Sequence, residues 1–230
     1  PGTPAGPYTL TYQICEVLNA SNCDQAVVTV NVSAASIIAT DDAGTAVNGL
    51  TGGTAFTNVL ANDTLNGVAV NASQVNLTFV SSTNAGITLS GSNVVVAPGT
   101  PAGPYTLTYQ ICEVLNASNC DTAVVTVNVS AAQIIANDDA GTPVNGLTGG
   151  TAFTNVLTND TLNGVAVNAS QVNLTFVSST NAGITLSGSD VVVAPGTPAG
   201  PYTLTYQICE VLNSSNCDQA VVTVNVSAAS

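Results

Sequence analysis

The sequence predicts an all-β chain, with tandem immunoglobulin-like β-sandwich domains strung into an extended filament. Three observations carry this. The string PGTPAGPYTLTYQICEVLN begins at Pro1, Pro98 and Pro195, a period of 97 residues in a chain of 230. That period is too long for a solenoid repeat and suits a whole small domain. Apolar and polar residues alternate over runs of five to nine residues, the signature of half-buried strands. Asn-Gly, Gly-Gly and Pro-Gly pairs separate those runs, and no segment sustains a helical period.

The copies are almost the same text. Residues 1–97 and 98–194 differ only at Gln25/Thr122, Ser36/Gln133, Thr40/Asn137, Ala46/Pro143, Ala61/Thr158 and Asn93/Asp190. The block from Pro98 ends in Ser130-Ala131-Ala132, small residues suited to a linker, and a new apolar stretch starts at Ile134. Domains are therefore expected at 34–130 and 131–227. Residues 1–33 read as the C-terminal hairpin of a preceding repeat, and 228–230 as the start of the next linker. On this reading the sequence is a window on a longer periodic chain.

Within 34–130 the elements follow in order. Asp41-Asp42 opens the domain, and Asn48-Gly49, Gly52-Gly53 and Asn66-Gly67 mark turns. Residues 74–81 put Val75, Leu77 and Phe79 on one face. After Ser90-Gly91-Ser92, residues 93–97 form a short β-branched strand. Residues 105–113 put Tyr105, Leu107, Tyr109 and Ile111 on one face, and 123–129 continue the habit. In all, seven to nine short strands are expected, the number an immunoglobulin-like sandwich uses.

The cysteines recur as Cys-x7-Cys, which suits two strands of one hairpin better than the tighter pairs of a zinc site. If Cys112 faces Cys120, then Tyr109 meets Ala123, Leu107 meets Val125 and Tyr105 meets Val127, while Thr and Gln occupy the other face. A slip of one residue would mix the faces. Disulfides are expected at Cys15–Cys23, Cys112–Cys120 and Cys209–Cys217, each worth about 2 kcal/mol for so short a loop. Paired cysteines at fixed spacing point to an oxidising, extracellular setting.

The charge excludes a good deal. The chain has no Lys, Arg or His against 13 acidic residues, a net charge of −13. Nucleic-acid binding through phosphate ion pairs is excluded. So are a P-loop and any catalytic site that needs a histidine or lysine base. No apolar run reaches the roughly 18 residues of a membrane-spanning helix, so the chain is not expected to insert in a membrane. The acidic residues are the only acid/base candidates. They recur identically in each copy, which argues against an enzyme and leaves no catalytic residue to name.

Calcium is the one cofactor this chemistry offers ligands for, since calcium takes oxygen donors. The candidate ligands are Asp41, Asp42 and Asp63 in one domain, with Asp138, Asp139 and Asp160 in the next. The alternative is that these residues cap turns, with Asx side chains bonding nearby backbone.

The strings IIANDDAGT (134–142), NVLTND (155–160) and Asn163-Gly164, with VLAND (59–63) in the first copy, resemble the Ig-like and cadherin-like repeats of giant bacterial surface adhesins. PYTLTYQICEVLNASNCDTAVVTVNV (104–129) resembles repeats of the very large surface proteins of Bacteroidota, among them gliding-motility adhesins. The resemblance implies an outer-surface filament attached at the outer membrane, exported by type IX secretion. Its partners would be neighbouring repeats of the same chain, an external surface or polysaccharide, and the secretion and motility machinery. It also implies O-glycosylation of Asp-Ser/Thr-apolar tripeptides, matched at Thr64, Thr122 and Thr161. The function expected is a structural repeat of a long adhesin filament for adhesion and gliding. A glycan- or surface-binding module acting by avidity, and a self-assembling pilus or sheath subunit, are the alternatives.

Overall fold

The computed structural model describes residues 2–228; the last two residues of the expected linker lie outside them. Among the described residues all regular structure is β. A hairpin comes first, β1 (Gly6–Glu16) and β2 (Asn19–Val32). Eleven strands follow in 34–130: β3 (Ile37–Ile38), β4 (Asp42–Ala43), β5 (Val47–Asn48), β6 (Gly53–Phe56), β7 (Thr64–Leu65), β8 (Val68–Ala69), β9 (Val75–Ser82), β10 (Ile87–Ser90), β11 (Asn93–Val96), β12 (Gly103–Glu113) and β13 (Cys120–Ser130). The set repeats as β14 (Ile134–Ile135), β15 (Asp139–Ala140), β16 (Val144–Asn145), β17 (Gly150–Phe153), β18 (Thr161–Leu162), β19 (Val165–Ala166), β20 (Val172–Ser179), β21 (Ile184–Ser187), β22 (Asp190–Val193), β23 (Gly200–Glu210) and β24 (Cys217–Ser227). There are more strands than the seven to nine expected, because five of the eleven are two-residue pieces.

The chain divides into two compact units. Of the described residues, one takes in 2–47, 53–97 and 104–128; the other takes in 48–52, 98–103 and 129–228. In the first, one sheet runs β4-β13-β12-β9, a second runs β10-β11-β6, and a small sheet runs β3-β7-β8. The second repeats this as β15-β24-β23-β20, β17-β22-β21 and β14-β18-β19. Each unit is a sandwich because each long strand has one apolar face to bury. Leu107, Tyr109 and Ile111 of β12 and Val125 and Val127 of β13 are buried, as are Ile87 of β10, Val94 and Val96 of β11 and Ala55 of β6. Leu204, Tyr206, Ile208, Val222, Ile184, Val191 and Ala152 build the same core in the second unit.

The hairpin register follows the two-face rule. Cys209 faces Cys217, Tyr206 faces Ala220, Leu204 faces Val222 and Tyr202 faces Val224. Val75, Leu77 and Phe79 share a face as expected, opposite Glu113, Ile111 and Tyr109. Burial fades along it: Val75 is buried, Leu77 half-buried and Phe79 exposed, on the outermost strand of its sheet. A bulge follows at Val80, where β12 passes from Tyr109 opposite Phe79 to Thr108 opposite Ser81. The extra residue re-aims its neighbours.

Turn chemistry divides likewise. Asn66 and Gly67 both have positive φ, 52° and 74°, the type I′ pair that Asn-Gly favours. Gly146 serves a different end: a Cβ there would collide with the carbonyl oxygen of Thr197. Among the described residues, no helix is long and apolar enough to cross a membrane.

Candidate functional site

The aspartates singled out in the sequence, with Asp121 and Asp218, gather where each repeat's first short strands meet its last long one. β4 lies parallel to β13, with Val125 opposite Asp42 and Thr126 opposite Ala43. In the next repeat β15 and β16 both lie parallel to β24, with Asp139 opposite Val222 and Val144 opposite Val226. Two-residue strands offer few ladder bonds, and side chains supply the rest. Val124 N–H donates to Asp41 Oδ1 at 2.8 Å, and Ala39 N–H donates to Asp121 Oδ2 at 2.9 Å. Gly44 N–H donates to Thr126 O at 2.8 Å. The opening segment thus reaches into the last strand, and the last strand reaches back. The second repeat makes the same stitches, Val221 N–H to Asp138 Oδ1 at 2.8 Å and Ala136 N–H to Asp218 Oδ2 at 2.9 Å. Bonds from N–H to a carboxylate are the stronger kind.

Behind this seam lies a buried acid pair. Asp63 is fully buried; its Oδ1 accepts the Thr40 N–H at 2.8 Å. The Tyr109 hydroxyl lies 3.1 and 3.2 Å from the two Asp63 oxygens and 3.0 Å from Val59 O. Asp42 Oδ1 accepts from the Asn62 amide at 2.9 Å, while its buried Oδ2 has no partner. Burial first, then the charges of Asp63 and Asp41, push Asp42 up to about 6 against the Asn62 bond. Burial also raises Asp63, with the Asp121 charge adding and the Thr40 and Tyr109 bonds opposing. Burial and the same carboxylates raise the Tyr109 hydroxyl. Asp139, Asp160 and Tyr206 reproduce the arrangement, with Asp139 likewise pushed up to about 6.

The structure therefore brings Asp41, Asp42 and Asp63 into one corner and Asp138, Asp139 and Asp160 into another. It aims them at N–H and O–H donors. Among the described residues no group of three or more His, Cys, Asp or Glu side chains is placed to hold a metal ion. The hydrogen-bond partners of these residues lie far along the chain, so the carboxylates do not cap their own turns. Of the tripeptide threonines, Thr122 is exposed on β13, and Thr64 and Thr161 are half-buried on β7 and β18.

The disulfides close the far end of each long hairpin: Cys15–Cys23, Cys112–Cys120 and Cys209–Cys217, with Cα atoms 4.0 to 4.1 Å apart and no cysteine left free. Beside Cys112, buried Glu113 accepts from the amides of Asn116 and Asn119 at 2.8 and 2.9 Å, and these bonds hold it below the ordinary glutamate range.

Sequence reasoning missed Tyr109, Asn62, Asp121 and Glu113 as members of these networks. Tyr109 had a signal: a tyrosine on an apolar strand face has a hydroxyl that must find a buried partner.

No family model matches the sequence, and no curated protein matches it. Solved structures with a similar course include extracellular cadherin domains 3–6 of protocadherin gamma B2, at 10% identity and a TM-score of 0.34, over 97% of this chain and 60% of that one. Mouse protocadherin-24 EC1–3 is similar at 15% identity and a TM-score of 0.35, over 96% and 80%. An endo-fucoidan hydrolase of glycoside hydrolase family 107 is similar at 11% identity and 0.34, over 98% of this chain and 34% of that one.

Proposed function

We propose that each repeat is a load-bearing spacer in an extracellular adhesive filament. The parallel seam of β4 on β13, and of β15 and β16 on β24, is the observation that supports this. In a parallel pair the two N-terminal ends lie together. A pull on the start of the first strand and the end of the last therefore slides one strand along the other. All the bonds between them are loaded at once, whereas an antiparallel pair pulled from its open end parts one bond at a time. Reciprocal stitches from Asp41 and Asp121 add to that seam without lengthening it. The disulfide keeps the far loop of the hairpin from extending.

The resemblance of residues 134–164 and 104–129 to adhesin repeats supports the finer reading. On it, the filament stands on a bacterial outer surface after type IX export, with domains at 34–130 and 131–227, and serves attachment and gliding. Thr122, exposed beside Asp121, is the threonine best placed for O-glycosylation.

Pulling single molecules tests the mechanical core of the proposal. Each repeat should yield one unfolding step of roughly 270 Å, at about 3.5 Å per released residue. Reduction should lengthen the step by about 30 Å as the disulfide loop joins the extension. Replacing Asp41 and Asp121 together with alanine should lower the unfolding force; an unchanged force would remove the seam from the account.

A second reading has one observation in its favour. The same open cleft recurs in both repeats, lined by Tyr105, Thr106 and Asn128 in one and by Tyr202, Thr203 and Asn225 in the other. A tyrosine beside hydroxyl and amide groups suits a sugar. Binding of the chain on a glycan array would favour the avidity module.

A further inference from the structure

The first hairpin has the sequence of the hairpin β12–β13 but not its surroundings. Residues 1–33 and 98–130 differ only at Gln25/Thr122. The register is the one seen in β23–β24: Tyr12 faces Ala26, Leu10 faces Val28 and Cys15 faces Cys23. Yet Leu10 and Ile14 are 64% and 66% exposed, where Leu107 and Ile111 are 0%. Tyr12, Val28 and Val30 are exposed too, although Tyr109, Val125 and Val127 are buried.

The loops differ as well. β1 and β2 stay paired out to Glu16 and Asn19, closing tightly over Val17 and Leu18. In 34–130 the matching loop is wider, because Val114 N–H donates to Gln74 O and the Asn119 amide donates to Ala35 O. Gln74 and Ala35 belong to the segment that covers the hairpin there.

We infer that the apolar face of β1–β2 is a docking face for a polypeptide segment of the 34–97 kind, which it closes into a further sandwich. The repeat itself names the occupant. Twice in this chain a nearly identical hairpin, closed by the same cysteine pair, is covered by such a segment, 34–97 and then 131–194. Within residues 1–230 both such segments are already seated, one with β12–β13 and the other with β23–β24. In the docked state a β9-like strand adds to the free edge of β1, as β9 adds to β12. Tyr12 then meets an aspartate as Tyr109 meets Asp63, and the loop 17–22 opens to the form seen in 114–119. Adding a strand to an open edge while filling side-chain pockets is a general mode of recognition.

Two arms test this. First, a second copy of residues 34–97 is joined directly ahead of Pro1, a junction that reproduces Ala97-Pro98. Amide hydrogens of residues 8–14 and 26–31 should exchange at least 1000-fold more slowly than in the 230-residue chain, since a lone hairpin is marginal and a core strand is not. Unchanged exchange overturns the inference. Second, the 230-residue chain is mixed with a separate polypeptide of residues 34–97. Native mass spectrometry should find a 1:1 complex, weakened at least 100-fold by Leu10→Asp with Ile14→Asp. No complex, or one indifferent to those substitutions, overturns it. So does a dimer of the 230-residue chain alone that the same substitutions dissolve, which would mean that two open hairpins cover each other.

Discussion

Asp42 and Asp139 each keep a buried carboxylate oxygen without a partner, under the charge of a second buried acid, Asp63 or Asp160, and in a chain without a single base. Their raised values, about 6 against an ordinary 3.8, mean that the fold prefers them neutral. The sign of the pH dependence follows. The folded chain binds these protons more tightly than the unfolded chain, so the stability they contribute is fully present below about pH 4 and is lost as pH rises through about 6. Asp63 and Asp160 are shifted the same way. Glu113, held low by its asparagines, works in the opposite sense: its contribution is present above the ordinary glutamate range and is lost as pH falls below it. Thermal unfolding should therefore move to higher temperature on going from pH 7 to pH 5. Asp42→Asn with Asp139→Asn should flatten that slope and raise stability at pH 7 by about 2 kcal/mol in each repeat. A melting temperature flat from pH 5 to 7 in the parent chain would contradict the buried pair. Tyr109→Phe leaves Asp63 without its hydroxyl partner and should cost about 1–3 kcal/mol at pH 7, read from urea unfolding. Because Asp41, Asp42 and Asp63 each have at least one oxygen held by an N–H donor, a chelator should leave the melting temperature unchanged. The acids were visible in the sequence as Asp41-Asp42 and Asn62-Asp63. Their partners were not, because Tyr109 stands 46 residues from Asp63 and nothing local links them.

At the scale of elements, legibility followed length. β9, β11, β12 and β13 could be read within a few residues because period-2 alternation over four or more positions has few competitors. β3, β4, β5, β7 and β8 could not, since a two-residue strand has no period and exists only where a longer neighbour offers it bonds. The parallel seam is made of such pieces, so the feature that supports the mechanical proposal is the one the pattern hides. The exposed Phe79 shows the same limit inside a long strand: alternation gives the face a residue shares, while its burial depends on what packs over that face. The cysteine pairing needed no such help, because the two-face rule alone fixes the register that brings Cys112 opposite Cys120. Replacing both of these with serine removes a constraint on a short loop and should lower the stability of that repeat by about 2 kcal/mol, seen as a lower urea midpoint with little change in slope. A loss well beyond this would mean that the disulfide also holds the Glu113 network in place.

At the scale of the whole molecule, the absence of basic residues is one choice copied through every repeat, and it sets how the chain responds to salt. With 13 acids and no cation, every long-range interaction between side-chain charges is repulsive. Raising the salt from 10 mM to 1 M shortens the screening length from about 30 to 3 Å and should raise the melting temperature by a few degrees. The repeats themselves carry a sharper expectation. They differ at positions such as Ser36/Gln133, Ala46/Pro143, Asn93/Asp190 and Ala117/Ser214, and none of these belongs to the buried core, which is the same residue for residue. Two cores of the same composition, each closed by its own hairpin and disulfide, should melt at nearly the same temperature without waiting for each other. A single calorimetric peak would then hide two events. The van't Hoff enthalpy, which reports the cooperative unit, should match one repeat, about 65 kcal/mol for 97 residues near 60 °C, while the heat absorbed should be about twice that. A ratio near two makes the repeat the unit of folding, which a filament that yields one repeat at a time under load requires. A ratio near one would make the pair the unit, and single-molecule steps should then double in length.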